Sequence, residues 1–233
     1  MSVDGSIAPD RVHSFFSHIA KRYDLVNRLL SLGIDRSWRK LTAQRVAQRA
    51  PQRVLDLATG SGDLALAIQS ALPNAKITGA DFCEPMLAQA RLKGLQNTVV
   101  ADALNLPFPD HSFDTLTVAF GLRNMRSWPD ALREMHRVLR PGGHLLILDF
   151  GLPTPPLLAP YRFYLHHILP RIAGILTGDR AAYTYLAQSI DAFPRDAAMC
   201  DYLLQQHFAN PSCTRLADGI AMLYEADTPT PSP

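Results

Sequence analysis

Apolar positions along the middle of the chain change period several times, from short continuous runs to helical spacing and back. The continuous runs predict strands at residues 53–58, 75–81, 97–101, 113–120 and 144–150. Helical spacing between them predicts helices at residues 63–72, 85–93 and 128–139, and we expect the last helix to stop at Pro141-Gly142-Gly143. Strands that alternate with helices in this way predict an α/β fold with a parallel sheet.

The segments on either side of this alternation predict additions to a single domain. Helically spaced apolar residues between Asp10 and Lys40 predict an N-terminal helical extension, which we place at residues 1–50. A helix at 196–206 and two extended runs within 211–224 predict an antiparallel pair that completes a seven-stranded, mostly parallel sheet. The main domain then covers residues 51–233, and we expect a disordered tail from Thr228.

Residues at about 151–193 interrupt the alternation, and we expect them to form a helical insert. No Asp or Glu occurs between Phe150 and Gly178, where apolar and aromatic residues accompany Arg162, His166, His167 and Arg171. Such a segment suits a lid or an apolar ligand, although two helices buried against the sheet would give the same pattern. Prolines at 160 and 170 exclude a continuous membrane span here.

The first predicted strand runs into a glycine turn, V-L-D-L-A-T-G-S-G-D at Val54 to Asp63. Gly60 and Gly62 tolerate positive φ and let a ligand approach the backbone closely. Together with Ala65, these glycines satisfy the dinucleotide-binding spacing, so the turn alone leaves a nicotinamide-dependent oxidoreductase open.

Charge separates the two cofactors that such a turn can hold. Asp63 would repel a pyrophosphate at the place where a dinucleotide enzyme needs bare N–H donors. S-adenosylmethionine has no phosphate and carries a sulfonium and an ammonium, so Asp56 and Asp63 would attract it. The acids of the turn therefore favour S-adenosylmethionine.

Two further acids follow predicted strands, at the sheet edge where open α/β folds bind ligands. Asp81 closes the second strand in G-A-D-F, where a carboxylate can accept hydrogen bonds from both ribose hydroxyls of an adenosine. Asp102 follows the third strand, where it can meet the exocyclic amine of adenine while Ala103 leaves room for the ring. Their recurrence beside the glycine turn indicates an adenosine site.

Composition narrows the remaining classes of function. The 233 residues are 47% hydrophobic and 19% charged, with a net charge of +2, which gives no signature of nucleic-acid binding. Three cysteines without metal or C-x-x-C spacing predict free thiols in a reducing compartment and no metal site. We expect a cytoplasmic protein, or one peripheral to the inner face of a membrane.

The whole pattern resembles the Rossmann-like class I S-adenosylmethionine-dependent methyltransferases over about residues 50–150. More narrowly, almost the whole chain is similar to the UbiE/MenG family of quinone C-methyltransferases. Three segments carry that narrower resemblance: F-F-S-H-I-A-K-R-Y-D-L-V-N-R-L-L-S-L-G-I-D-R-S-W-R-K (Phe15 to Lys40), A-F-G-L-R-N (Ala119 to Asn124) and Y-T-Y-L-A-Q-S-I (Tyr183 to Ile190).

The resemblance implies methyl transfer to a ring carbon of a demethylated isoprenoid quinol, giving menaquinol and, in some members, a ubiquinol precursor. It places cofactor contacts at Ser61, Asp81 and the Asp102-Ala103 pair. Ala119 stands where some relatives have a serine that contacts the cofactor, so we expect only a backbone contact there. Thr59 stands where many methyltransferases have a glycine, and it narrows the turn slightly.

Methylation of a ring carbon needs a quinol that a developing phenolate charge makes electron-rich. Arg123 and Asn124 follow the fourth predicted strand, at the same sheet edge as the cofactor, and we expect them to donate hydrogen bonds to that phenolate. An arginine stays protonated at neutral pH, so it is a poor base. The proton would leave through water or through a nearby side chain, for which the candidates are Tyr23, Asp24, His166, Tyr183 and Tyr185. We expect the stretch from Leu157 to Leu176 to form part of a lid that touches a membrane surface.

Several alternatives stay open at this stage. A small-molecule O- or N-methyltransferase would use the same cofactor site, and a non-catalytic protein could bind S-adenosylmethionine without turnover. The sequence does not choose between naphthoquinol and benzoquinol, and it leaves the tail length and a homo-oligomer open.

Overall fold

The structure is a computed structural model that describes residues 33–177 and 180–230. Within these ranges the strands form one seven-stranded sheet in the order β3-β2-β1-β4-β5-β7-β6. The strands are β1 (Arg53–Leu57), β2 (Lys76–Asp81), β3 (Asn97–Val100), β4 (Phe113–Ala119), β5 (Leu139–Phe150), β6 (Ala209–Leu216) and β7 (Ala221–Asp227). The helices are α1 (Asp35–Gln48), α2 (Asp63–Ala71), α3 (Glu84–Leu92), α4 (Trp128–Val138), α5 (Leu158–Phe163), α6 (Leu169–Thr177), α7 (Arg180–Ala192) and α8 (Ala197–Gln205).

The strand directions confirm the predicted sheet. Strands β1 to β5 are parallel, β7 runs antiparallel to β5, and β6 runs antiparallel to β7. The chain moves outward from β1 through β2 to β3 and then returns to the other side of β1 with β4. In such a sheet the crevice for ligands opens where the order reverses, at the carboxyl ends of β1 and β4.

The core lies on both faces of the sheet, because successive strand residues point to opposite sides. Val54 packs with residues of α1 and α2 on one face, whereas Leu55 and Leu57 pack with residues of α4 on the other. A strand that is buried on both faces reads as a continuous apolar run rather than as an alternation. This is why the central strands could be predicted from the sequence.

Two predicted boundaries were wrong. Helix α4 ends at Val138, and β5 begins at Leu139, so Pro141-Gly142-Gly143 lies inside β5 rather than at the helix end. Leu139 is already extended, with φ −77° and ψ 136°, and pairs with Phe113 before an irregularity in the β4–β5 ladder.

The predicted tail also begins too early. Thr228 is only 3% exposed, and its backbone N–H donates to the carbonyl of Gly143 at 2.9 Å. The hydroxyl of Thr228 accepts from the N–H of Gly143 at 2.8 Å, so this residue is held against the start of β5.

The regions of the predicted extension and insert contain helices. Helix α1 continues beyond Lys40 to Gln48, while the rest of the predicted extension, at residues 1–32, lies outside the described residues. In the insert, α5 and α6 are joined by a π-helical turn at Tyr164–Ile168, and α7 follows. Leu165, Tyr183 and Ile190 are buried in the core, so part of this insert packs on the sheet. None of the helices that the structure describes is both long and apolar enough to cross a membrane.

Candidate active site

The glycine turn connects β1 to α2 at the crevice. Gly60 and Gly62 have φ values of +56° and +83°, and Gly62 stands at the start of α2. A Cβ atom on Gly62 would lie 3.0 Å from the Cβ of Ala90 in α3. Glycine is therefore required at Gly62 both for its backbone angle and for close packing. Ala58 adopts φ +53° in the same turn, which is a strained angle for a residue with a side chain.

Asp81 braces this turn from the end of β2. One of its carboxylate oxygens accepts a hydrogen bond from the N–H of Gly60 at 2.8 Å, and the other accepts from the N–H of Cys83 at 2.9 Å. Each oxygen of a carboxylate can accept more than one hydrogen bond, so these contacts leave a role toward a ribose chemically open. Asp81 therefore also stabilises the backbone of the turn, a structural role that its position in the sequence did not reveal.

Asp56 is buried beneath the turn, with 1% of its surface exposed. Its carboxylate accepts hydrogen bonds from the hydroxyls of Thr59 and Thr117, each at 2.6 Å. Burial raises the pKa of Asp56 to about 6, although the two hydroxyls and the cation of Arg39 oppose that rise. Thr59 is thereby explained, because its hydroxyl holds a carboxylate that a glycine could not hold.

Asp63 forms an ion pair that the charge argument left out. The ammonium of Lys93, just beyond α3, donates to the Asp63 carboxylate at 2.6 Å and to the hydroxyl of Ser61 at 2.9 Å. Asp63 and Lys93 each keep about a third of their side-chain surface exposed, at 33% and 32%. The pair reduces the negative charge that Asp63 offers to a ligand, so the preference for a cationic cofactor rests more on Asp56 than the sequence suggested.

The Asp102-Ala103 pair follows β3 at the same edge. Asp102 is exposed, and its carboxylate accepts from the N–H of Leu104 at 2.9 Å, which closes a tight turn. The N–H of Ala101 donates to the carbonyl of Asp81 at 3.0 Å, so this turn begins beside the end of β2. The structure therefore brings Asp81, Asp102 and Ala103 to one side of the glycine turn.

A small recess of about 20 Å³ opens beside the turn. Six predicted cofactor residues line it, namely Asp56, Thr59, Gly60, Ser61, Asp63 and Ala119. Three further residues complete its wall: Ala58, Leu64 and Arg39, none of which the sequence had assigned to the cofactor. Ala119 lies on this recess, whereas Gly62 packs behind it against α3. A buried carboxylate, a guanidinium and an open glycine backbone form a donor and acceptor set that fits the amino-acid end of S-adenosylmethionine.

A second turn follows β4 and touches the first. Phe120 has φ +59°, which is rare for an aromatic residue, and a Cβ atom on Gly121 would lie only 2.5 Å from the Cβ of Ala58. The carbonyl of Phe120 accepts hydrogen bonds from Arg123 Nη1 at 2.6 Å and from Asn124 Nδ2 at 3.2 Å. The two candidate phenolate donors are thus fixed on one carbonyl next to the cofactor turn.

Arg123 is a buried residue and not a surface cation. Its Nη1 donates to Asp149 at 2.6 Å, and Asp149 is completely buried at the end of β5. The guanidinium also lies 5.2 Å from the centre of the Phe150 ring. Its Nε atom is buried and has no hydrogen-bond partner among the described residues. Nothing in the sequence singled out Asp149, which lies 26 residues after Arg123.

The structure describes three of the five candidate proton acceptors. Tyr23 and Asp24 lie outside the described residues, and His166 is engaged with Asp191 at 2.7 Å. Tyr183 is 3% exposed and belongs to the core. Burial raises the pKa of Tyr185, and the charges of Arg123 and Asp149 also act on it, so this tyrosine of α7 lies near the buried ion pair.

The described residues contain no group of three or more His, Cys, Asp or Glu residues that is placed to hold a metal ion. A larger cavity of about 470 Å³ lies at the opposite edge of the sheet, where β1, β2 and β3 begin with Arg53, Lys76 and Asn97. Because parallel-sheet ligands bind at the carboxyl ends, size does not mark this cavity as the active site.

Known proteins resemble this chain in sequence and in fold. The model of the ubiE/COQ5 methyltransferase family matches residues 5–227. The demethylmenaquinone methyltransferase of Thermus thermophilus is 46% identical over 222 residues, covering 92% of this chain and 100% of that protein. The ubiquinone/menaquinone biosynthesis C-methyltransferase UbiE of Syntrophotalea carbinolica is 44% identical, covering 90% of each chain.

Solved structures share the fold at much lower identity. Human N-acetylserotonin methyltransferase, solved in complex with S-adenosylmethionine, superposes with a TM-score of 0.66 at 17% identity, covering 97% of this chain and 61% of that chain. At this identity the likeness extends to the fold alone.

Proposed function

Because the chain belongs to the ubiE/COQ5 methyltransferase family, we propose that it methylates a ring carbon of a demethylated isoprenoid quinol, converting demethylmenaquinol to menaquinol. The protein is an S-adenosyl-L-methionine-dependent methyltransferase. The relative from Thermus thermophilus, named for the menaquinone reaction, supports this acceptor. A dual role in menaquinone and ubiquinone biosynthesis is compatible with the name of the relative from Syntrophotalea carbinolica.

One observation carries the proposal: the cofactor turn and the Arg123 turn lie against each other at the ends of β1 and β4. A side chain on Gly121 would clash with Ala58 of the cofactor turn. A methyl donor bound at the first turn and a ring held beside the second would therefore be neighbours. Positioning of this kind supplies a large part of the rate in a group transfer.

The reaction needs an electron-rich ring carbon. A quinol becomes nucleophilic when one hydroxyl shares or loses its proton, and bound S-adenosylmethionine supplies the electrophilic methyl group. The Nε donor of Arg123 is buried and without a partner among the described residues, so it suits an oxygen that gains negative charge. Asn124 supports this donor through the shared carbonyl of Phe120.

The proton itself requires another acceptor, because a guanidinium stays protonated. Burial raises the pKa of Tyr185, which keeps that hydroxyl protonated at neutral pH. Tyr185 is then a hydrogen-bond donor or a relay toward water, rather than a base. We assign Arg123 to phenolate stabilisation and Tyr185 to the proton path.

The test is an activity assay with demethylmenaquinol and S-adenosylmethionine, run beside the benzoquinol precursor, with the product identified by mass spectrometry. We expect a C-methylated naphthoquinol and a strongly reduced rate for Arg123→Lys. Arg133→Lys, on the exposed face of α4, is the matched control and should keep its rate. If neither quinol is methylated the proposed acceptor is wrong, and an O-methylated product would favour a small-molecule O-methyltransferase.

We also propose that the helical insert touches a membrane surface, where an isoprenoid tail would reside. Exposed apolar residues lie along this segment, with exposed fractions of 50% for Leu157, 59% for Phe163 and 46% for Ile172. Arg162 and His166 both contact Asp191 of α7, which offsets part of the positive charge seen in the sequence. The proposal therefore rests more on apolar insertion than on attraction to anionic lipids.

Flotation with anionic liposomes tests this surface. We expect the wild type to float, a Phe163→Ser/Ile172→Ser variant to lose binding, and an Arg162/Arg171 charge-removed variant to lose only part of it. Leu92→Ser is the matched control, since Leu92 is 80% exposed on α3, outside the insert. A wild-type protein that stays unbound would contradict the proposal.

A further inference from the structure

Arg39 reaches the cofactor recess from helix α1, outside the glycine turn and the strand ends that carry the other cofactor residues. It lines the recess together with Asp56, and its cation acts on the pKa of that carboxyl group. Only 8% of its surface is exposed. An almost completely buried guanidinium beside a ligand recess needs a physical explanation, because burying a cation is unfavourable unless it is paired.

The structure shows how Arg39 is held. Its Nη1 donates to Asp35, which lies one turn earlier on α1 and is itself 3% exposed. Its guanidinium lies 5.1 Å from the centre of the Phe120 ring, in the second turn of the site. No other residue within the described ranges accepts a hydrogen bond from Arg39. A guanidinium carries five N–H donors, so most of its hydrogen-bonding capacity is left for a ligand.

We propose that Arg39 binds the α-carboxylate of the methionine part of S-adenosylmethionine. The methionine end of that molecule is a zwitterion, with an ammonium and a carboxylate on one carbon. Asp56 offers a negative charge for the ammonium, and Arg39 is the cation on the same recess for the carboxylate. Without Arg39, the incoming carboxylate would meet the carboxylates of Asp56 and Asp63, which line the same recess.

The recess is small, and its lining does not include Asp81 or Asp102, the acids expected beside the nucleoside. The nucleoside would therefore lie outside the recess, toward Asp81 and Asp102. This inference rests on the proposed methyl donor and identifies which residue recognises its amino-acid end.

Calorimetric titration with two ligands tests the assignment. One ligand is S-adenosylhomocysteine, and the other is its decarboxylated analogue, which differs only in lacking the carboxylate. We expect the wild type to prefer S-adenosylhomocysteine by on the order of 10- to 100-fold, as charge-assisted hydrogen bonds allow. Arg39→Gln should lose that preference by weakening S-adenosylhomocysteine alone, and its affinity for the analogue should stay within about twofold.

Two control variants make the result specific. Lys40→Gln removes an exposed cation from the next position of the same helix and should leave both affinities unchanged. Arg39→Lys keeps the charge without the planar fork and should keep only part of the preference. If Arg39→Gln does not fold, the wild-type preference and the Arg39→Lys ratio still decide the question.

Three outcomes would overturn the inference: equal weakening of both ligands in Arg39→Gln, an unchanged preference in that variant, or no preference in the wild type. The first would show that Arg39 only supports the fold of the recess. A wild-type protein that binds neither ligand would instead refute the proposed methyl donor, so the two failures are distinguishable.

Discussion

Replacing Asp149 by asparagine should destabilise the protein far more than a typical surface change. Asp149 is completely buried, and its carboxylate accepts from Arg123 Nη1 at 2.6 Å and from the N–H of Phe150 at 2.8 Å. An amide of the same size can keep one acceptor oxygen, but it removes the charge that balances the buried guanidinium of Arg123. Most of the lost stability therefore comes from leaving the buried cation of Arg123 without a counter-charge.

Breaking a buried ion pair by removing one partner costs about 3–5 kcal/mol. Native proteins have unfolding free energies of roughly 5–15 kcal/mol, so the change is a large part of the whole. Urea unfolding followed by far-ultraviolet circular dichroism should show this loss as a lower midpoint with an unchanged slope. A decrease below about 1 kcal/mol would refute the reasoning, because it would mean that water or another group already balances the charge.

Removing both charges separates stability from chemistry. The double variant Arg123→Met/Asp149→Leu leaves no uncompensated charge, and apolar replacements of buried ion pairs are often neutral or stabilising. We expect it to regain most of the stability that Asp149→Asn loses, while its rate of methyl transfer should be strongly reduced because the phenolate donor is gone. A double variant that is as unstable as the sum of the single changes, or one that keeps its activity, would contradict this account.

Three further predictions concern the turns and their charges. The folded protein binds a proton at Asp56 with a pKa of about 6 instead of the usual 3.8, so this group should lower the unfolding free energy by about 3 kcal/mol in total as pH rises from about 3 to 7. Urea unfolding across that range should show a difference in pH slope of this size between the wild type and Asp56→Asn, because the other carboxyl groups titrate in both proteins. Gly121→Ala should lower the unfolding free energy by about 1–3 kcal/mol, since its Cβ would lie 2.5 Å from the Cβ of Ala58. The same change should weaken binding of S-adenosylhomocysteine. Urea unfolding measures the first effect and calorimetry the second. Lys93→Ala should change the unfolding free energy by less than about 1 kcal/mol, because the Lys93–Asp63 ion pair is partly exposed. The variant should bind cationic S-adenosylmethionine more strongly relative to neutral S-adenosylhomocysteine, because Asp63 loses its partner. An unchanged affinity ratio in competition titrations would show that Asp63 does not act on the sulfonium.

Local signals in the sequence were enough for the sheet and for the cofactor turn. The central strands are buried on both faces, so they are rich in apolar and β-branched residues. Gly60 and Gly62 were recognisable because positive φ restricts the choice of residue at those positions. Pro141 misled the prediction of the end of α4, because it sits inside an extended strand and not directly after the helix.

Electrostatic partners could not be predicted in the same way. Lys93 reaches Asp63 across 30 positions, and Arg123 reaches Asp149 across 26. Such pairs depend on which helices and strands become neighbours in the folded chain, and a single sequence does not encode that adjacency locally. For this reason the sequence predicted the kinds of residue that form the site, but it did not predict the charges of Lys93 and Asp149, which pair with residues of the site.

A stack of four side chains joins the two halves of the site. The guanidinium of Arg39 lies on the Phe120 ring, the Phe120 and Phe150 rings are 4.5 Å apart, and the guanidinium of Arg123 lies on Phe150. Each cation is fixed by its own buried acid, Asp35 for the first and Asp149 for the second.

Phe120 is the residue at which these contacts meet. Its ring supports the proposed carboxylate ligand of the methyl donor, and its carbonyl receives the proposed phenolate donor. Its positive φ of +59° turns the chain between the two, which is a strained arrangement for an aromatic residue. Both cations pack on one aromatic pair, so the Phe120–Phe150 contact connects the proposed carboxylate ligand to the proposed phenolate donor. The strained backbone at Phe120 therefore lies where the two proposed binding sites meet.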